Sequence, residues 1–419
     1  MKAILRAGAA LLVMTGSSTG ALAQRAVETP SSETAAVGPA PPPPPGMMPG
    51  LCGSDIVCGG ELVSQLQALA VNSGGRKAAA WDDSNLDLYA NYSSWLSLYA
   101  TVKLERNRTD NLDSYYPQSS GFFRSEALTL PQLFVAVRPF SGLTLYGGKI
   151  HPNFGSAYDQ EPGQFYNFGS DYEQDERIGV GAEYLLPEAI AHRLRISVES
   201  FFLDTSFLSE SLLSRPGFST TDPTARPFRY TLRQFGPSNT ESLSSYTVAL
   251  RGGEADRGLT YQISFTKEAT EDPTAKTEYG ESIGAQYDPT GDGMRLTDRL
   301  GLTPFLEYVH FNNFATDPDL ERHYLIGGLQ FNYVRWQVIL AGGVRRTDDS
   351  SNPPGLPYTN AVGEQERHAW DHQENVSVNY TLPIAISYNL TVGGGVNHTS
   401  IAGRSSWAFG PSVNLNVKF

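Results

Sequence analysis

The side chains best suited to acid–base or metal chemistry in this chain are seven histidines: His151, His192, His310, His323, His368, His372 and His398. His368 and His372 stand four apart, the spacing of a zinc-protease helix. No Glu follows His368, however, and the interval reads as loop leading into a strand. His398 precedes Thr399 and Ser400, which invites a hydrolase reading. Neighbours in sequence are not a triad: a barrel enzyme would need a Ser or Thr beside the His398 ring and an orienting Asn or Asp at the same rim. The glycine pairs and triplet at 147–148, 327–328, 342–343 and 393–395 lie inside extended segments. There they ease curvature or close approach rather than cradle phosphate. No catalytic residue, cofactor or metal ligand is expected.

Charge offers a different chemistry, the filtering of solutes. Arg177, Arg195, Arg251 and Arg335, with Glu183 and Glu199, alternate with apolar residues in extended segments. An arginine facing lipid is costly, so alternation turns these groups towards a water-filled lumen. The connection 151–176 holds Asp159, Glu161, Asp171, Glu173, Asp175 and Glu176 and no basic residue before Arg177. The longest connection, about 203–243, carries Arg215, Arg226, Arg229 and Arg233, partly offset by Asp204, Glu210, Asp222 and Glu241. It counts as the third long loop. Folded inward, its Arg226, Arg229 and Arg233 would form the basic side of a constriction, with the acidic loop or Glu183 and Glu199 opposite. The plainer reading is solvated charge on external loops.

The elements that would carry these groups show a period of two. In the last fifteen residues Trp407, Phe409, Pro411, Val413, Leu415, Val417 and Phe419 alternate with small or polar residues. The pattern recurs over 96–105, 177–184, 194–202, 246–251, 259–266, 325–345 and 386–397, and less regularly over 130–137, 143–150, 279–287 and 302–311. The face opposite the apolar one keeps Arg, Glu, Gln and Asn throughout, which a dry β-sandwich interior would not tolerate without partners. Short turns, such as Pro139–Gly142 and Tyr333–Arg335, alternate with long loops. The fold expected is all-β: an antiparallel up-and-down transmembrane β-barrel of about 14 strands, with 12 to 16 allowed.

Ahead of the barrel, Met1 to Ala23 reads as a signal peptide, with Lys2 and Arg6, an apolar core and the small-x-small site Ala21–Ala23. Its removal leaves 29 basic against 44 acidic side chains, about −15, which argues against nucleic acid. Residues 24–92 read as a Pro-rich linker and a short periplasmic segment. Pro41–Pro45 favour an extended spacer, and Glu61–Val71 is expected to form a helix with Leu62, Leu66 and Leu69 on one face. Such a segment could be a plug, tether or oligomerisation stub. Cys52 and Cys58, the only cysteines, suit a small disulfide in an exported protein. The barrel is then 93–419.

The stretch Gly147–Gly155, with Asp171-Tyr172-Glu173 and Glu176–Gly181, resembles porin-like outer-membrane proteins of alphaproteobacteria. Ser200–Phe207 and Gly236–Ser242 resemble the same group, and the likeness covers roughly 129–251. The resemblance implies a Gram-negative outer-membrane barrel of general porin type, not a particular solute. Phe419 resembles the C-terminal aromatic read by the barrel-insertion machinery. The expected activity is passive diffusion of small hydrophilic solutes or ions. Outer-membrane lipid, the insertion machinery and small solutes are the expected partners, and a homo-oligomer is compatible with such a barrel. A second reading is a transporter for hydrophobic compounds with 24–92 as its hatch.

Overall fold

The computed structural model describes residues 56–72, 76–106, 121–122, 126–157, 168–187, 193–211, 236–253, 258–287, 295–297, 300–350, 357–359, 365–367, 370–385, 387–401 and 404–419. Sixteen antiparallel staves form one closed barrel. In chain order they are β1 Val57–Asn72, β2 Arg76–Ser93, β3 Leu96–Arg106, β4 Glu126–Phe140, β5 Leu143–Ile150, β6 Arg177–Leu185, β7 Arg195–Leu203 and β8 Ser245–Gly253. They continue as β9 Leu259–Glu268, β10 Glu278–Tyr287, β11 Leu300–Asn312, β12 Leu320–Tyr333, β13 Trp336–Asp349, β14 Trp370–Ala385, β15 Tyr388–Ile401 and β16 Arg404–Lys418. Each stave pairs with its neighbours in sequence. The ring shuts where β1 meets β16, from Glu61↔Lys418 to Asn72↔Trp407. Gly60 and Phe419 exchange two backbone hydrogen bonds beyond that ladder, at 2.8 and 3.0 Å. Closure matters because an unpaired edge at lipid depth leaves N–H and C=O groups with no water to satisfy them.

Side-chain burial follows the period of two. On β10, Gly280, Ser282 and Gly284 are buried while Glu281, Ile283 and Ala285 are exposed. On β16, Ser406, Ala408 and Ser412 are buried, whereas Trp407, Phe409 and Val413 are exposed. The outer face is therefore the apolar one. No helix among the described residues is long and apolar enough to cross a membrane.

The barrel begins at Val57, not near Ser93, so it includes two staves beyond the fourteen read from 93 onward. Glu61–Val71 is strand β1, not a helix. Leu62 and Leu66 mislead because a spacing of four fits both the helical and the strand period. In the barrel they share the outer face, opposite Val417 and Val413, while buried Leu69 and Val71 sit on the inner one with Ala408 and Trp81. The demand for a closed ring overrides the local ambiguity. β14 runs through Leu382 and Pro383 with a bulge, and only residues 402–403 separate β15 from β16. Cys58 is disulfide-bonded; the chain's other cysteine, Cys52, lies outside the described residues.

Candidate functional site

With β1 and β2 counted, the third connection at the long-loop end is 151–176, and the connection after β7 is the fourth. The third one folds inward. Its outgoing leg, 151–157, leaves β5 and runs along the inside of the wall. Glu199 on β7 accepts hydrogen bonds from the Asn153 backbone N–H (3.1 Å), from the Asn153 side-chain amide and from the Tyr146 hydroxyl (2.6 Å). Arg251 on β8 donates to Asn153 Oδ1 (2.9 Å) and to Gln262 Oε1 (3.1 Å). Gln262 on β9 donates in turn to the Asn153 and Gly155 carbonyls, at 3.2 and 2.8 Å. Three of these bonds pair a wall side chain with a loop backbone group, Asn153 N–H, Asn153 C=O and Gly155 C=O, that burial would otherwise leave unsatisfied.

Glu307 on β11 is the strongest of these anchors. It is fully buried, and its carboxylate accepts five hydrogen bonds. They come from Ser156 N (2.7 Å), Ser156 Oγ (3.1 Å), Ala157 N (2.6 Å), Tyr172 Oη (2.8 Å) and Ser282 Oγ (2.7 Å). Gly155 makes the approach feasible: its φ is +71°, and a Cβ there would lie 2.8 Å from the Tyr172 ring. Around the carboxylate, Phe154, Phe168 and Tyr172 from the loop pack on Phe305, Phe311, Tyr324 and Ile326 of β11 and β12. Phe154 and Phe311 have ring centroids 5.3 Å apart, and Tyr172 meets Tyr324 edge-on at 5.2 Å.

The return leg, 168–176, reaches further round the ring. Arg345 on β13 donates to Asp171 of the loop (3.1 Å) and, with Nε and Nη2, to Asp371 on β14 (3.1 and 2.8 Å). Gln174 then donates to Thr266 and Glu268 of β9, at 2.9 and 2.8 Å. Glu176 closes the leg in an ion pair with Lys149 of β5, 3.5 Å away, which Asp204 of the next loop joins at 2.9 Å. The loop is thus tied to staves from β5 to β13, about half the circumference, by groups almost all on the inner face.

The residues singled out from the sequence distribute as follows. Arg177 pairs with Glu268 at 3.1 Å, and Arg195 lies 3.8 Å from Glu183. Arg251 and Glu199 hold Asn153, as above. Arg335 sits exposed in the Val334–Arg335 turn rather than on a strand wall, because β12 ends at Tyr333. Arg226, Arg229 and Arg233 lie outside the described residues. Glu307, Glu268 and Arg345 were missed by sequence reasoning. Glu307 was legible only as an acid at an inward position of a strand whose two faces both look apolar. The inner apolar face, Phe305, Val309 and Phe311, packs against the loop's aromatics, not against a membrane.

On the outer face His398 donates or accepts at both ring nitrogens, Nδ1 to Glu374 (2.8 Å) and Nε2 to Ser405 (2.8 Å). This satisfies the hydroxyl-and-carboxylate condition for a hydrolase, with Glu in place of Asn or Asp. Ser405 lies in the ladder opposite Ser400, and a hydroxyl within reach of a histidine is not by itself an activated nucleophile with an oxyanion site.

The site is thus a loop latched along the inner face of a closed ring. The fold is that of the outer-membrane channels. The outer-membrane channel DcaP of Acinetobacter baumannii matches 89% of this chain and 100% of its own length, at 11% identity and a TM-score of 0.50. OprB of Pseudomonas putida matches 87% of this chain and 94% of its own, at 13% identity and a TM-score of 0.53. No protein-family model and no curated protein matches the sequence.

Proposed function

We propose that this chain is an outer-membrane channel for passive diffusion of small hydrophilic solutes or ions. The observation that carries the reading is the inward loop: chain tied across the inside of a ring narrows an aqueous passage. The Acinetobacter barrel of similar fold is an outer-membrane channel, which supports the same role here. Away from the loop's anchors the inward residues are mainly amides and hydroxyls, including Asn397, Thr399, Ser412 and Asn416, a wall that suits hydrated solutes. The inward charges among the loop anchors are largely matched with one another, so the passage would select by size more than by charge.

The reading extends to Met1–Ala23 as a cleaved export signal, to Phe419 as the mark read by the insertion machinery, and to a Gram-negative outer membrane as location. Arg226, Arg229 and Arg233 keep their proposed role on the loop after β7. A passage for hydrophobic compounds has less support, since among the described residues the buried apolar side chains fall into three separate clusters, around Phe154 and Tyr172, around Leu69 and Val71, and around Tyr99 and Phe134, rather than a continuous path. Of residues 24–92, assigned to a hatch in that reading, 57–72 and 76–92 belong to the wall. Liposome swelling with sugars, amino acids and salts tests the proposal. Uptake falling with solute size is expected, and impermeability to all three classes would refute it.

A further inference from the structure

We propose that His310, Glu321 and His323 form a binding site for one divalent transition-metal ion of the Zn2+ kind, on the outside of the barrel at its long-loop rim. β11 and β12 pair so that His310 and His323 face each other directly, and His310 lies two residues from the end of its strand. Glu321, two residues before His323, shares its face because strand side chains repeat every second residue. That face is the one carrying exposed Leu306, Tyr308 and Leu325.

The spacing is that of a coordination shell. Glu321 Oε1 lies 2.9 Å from His310 Nε2 and 3.3 Å from His323 Nε2, and the three ligand atoms all fall within 4.8 Å of one another. Metal–ligand bonds of about 2.0–2.2 Å place neighbouring donors about 3 Å apart in tetrahedral or octahedral geometry. The Tyr308 hydroxyl sits 2.9 Å from His323 Nδ1. It fixes that ring with Nε2 turned to Glu321, the outer-shell support that metal-binding histidines usually have. The two imidazoles stack at 4.7 Å, only 17° from parallel, so His310 is held as well.

Two imidazoles and one carboxylate favour zinc and its d-block neighbours over calcium or magnesium, which take oxygen ligands. The surrounding charge is favourable too. Glu281 stands opposite His310 in register, and Arg346, beside His323, is turned onto Asp348 at 2.9 Å. His310 and His323 retain 18% and 23% side-chain exposure and Glu321 45%, which leaves a coordination position open to water. The other outward trio, His372, Glu374 and His398, also has its ligand atoms within 4.8 Å of one another; its two rings are 5.5 Å apart and 53° from parallel, and His398 Nε2 is held by Ser405 outside the trio at 2.8 Å, so it serves as the comparison site.

The test uses the full chain, purified in detergent and stripped with chelator, titrated with Co2+ as a spectroscopic probe and Zn2+ as competitor. One equivalent of Co2+ with visible d–d absorption, displaced by Zn2+, is expected. His310→Ala and His323→Ala should each abolish it, and Glu321→Gln should weaken it at least tenfold. The double variant His372→Ala/His398→Ala should retain it. Heat-modified gel mobility reports whether each variant is a folded barrel. Cu2+ electron paramagnetic resonance on the unaltered protein needs no variant and should show coupling to two imidazole nitrogens. The proposal is overturned by absence of stoichiometric Co2+ uptake, by undiminished uptake in His310→Ala or His323→Ala, by loss in the control variant, or by a Cu2+ spectrum without nitrogen coupling.

Discussion

Replacing Glu307 by Ala should unlatch the third loop while leaving the barrel intact. Four of the five hydrogen bonds to this carboxylate come from the loop, two of them from backbone N–H groups. Hydrogen bonds to a charged group are worth about 1.5–3 kcal/mol each, but they share one acceptor and are not additive. Removing one partner of a buried charged network typically costs about 3–5 kcal/mol, and that range is the better estimate here. Phe154, Phe168 and Tyr172 still hold the loop, each worth about 1.5–3 kcal/mol of burial. The loop should therefore remain mostly in place yet open about 100- to 4,000-fold more often, following the factor of ten per 1.4 kcal/mol. Planar-bilayer recordings read this directly. Glu307→Ala should add a larger conductance level and excess open-channel noise, and Glu307→Ala/Phe154→Ala should make that level predominant. Neither variant should lose the folded gel mobility, because β10–β11 and β11–β12 pairing does not involve the side chain. Traces indistinguishable from the parent in both variants would refute the assignment of this loop as the constriction.

Arg345→Ala should destabilise the protein by about 3–5 kcal/mol by removing the cation between the largely buried Asp171 and Asp371; a lowered denaturant midpoint checks it. Replacing Arg229 and Arg233 with Ser should alter single-channel conductance or ion preference, and unchanged values would remove the loop after β7 from the mechanism. Ser405→Ala should leave transport unchanged, and a fluorophosphonate probe should label no serine of the parent chain; labelling that disappears in this variant would revive the hydrolase reading.

The fate of individual segments separates what was local from what was not. Ser405–Phe419 was readable as a strand with its faces assigned, since both the wetter and the greasier set are consistent over fifteen residues. Leu300–Asn312 was not, because its inner face touches protein, and a side chain packed on aromatics is as apolar as one packed on lipid. Leu62 and Leu66 could not choose between periods. Only their partners across the ladder, Val417 and Val413, make the choice. The inward turn of 151–157 and 168–176 left no local trace, because Glu199, Gln262, Glu307 and Arg345 are contributed from 46 to 192 residues away from Asn153 along the chain.

The sequence by itself determined the class of fold and which way most staves face, because a period of two and a polar second face are properties of each strand alone. The tertiary structure decided the number of staves, the identity of the inward loop and the duties of the charged residues. Those depend on closure and on contacts between residues remote in the chain. An arginine or glutamate reads the same in sequence whether it meets a passing solute or, like Glu307, a backbone N–H from across the barrel.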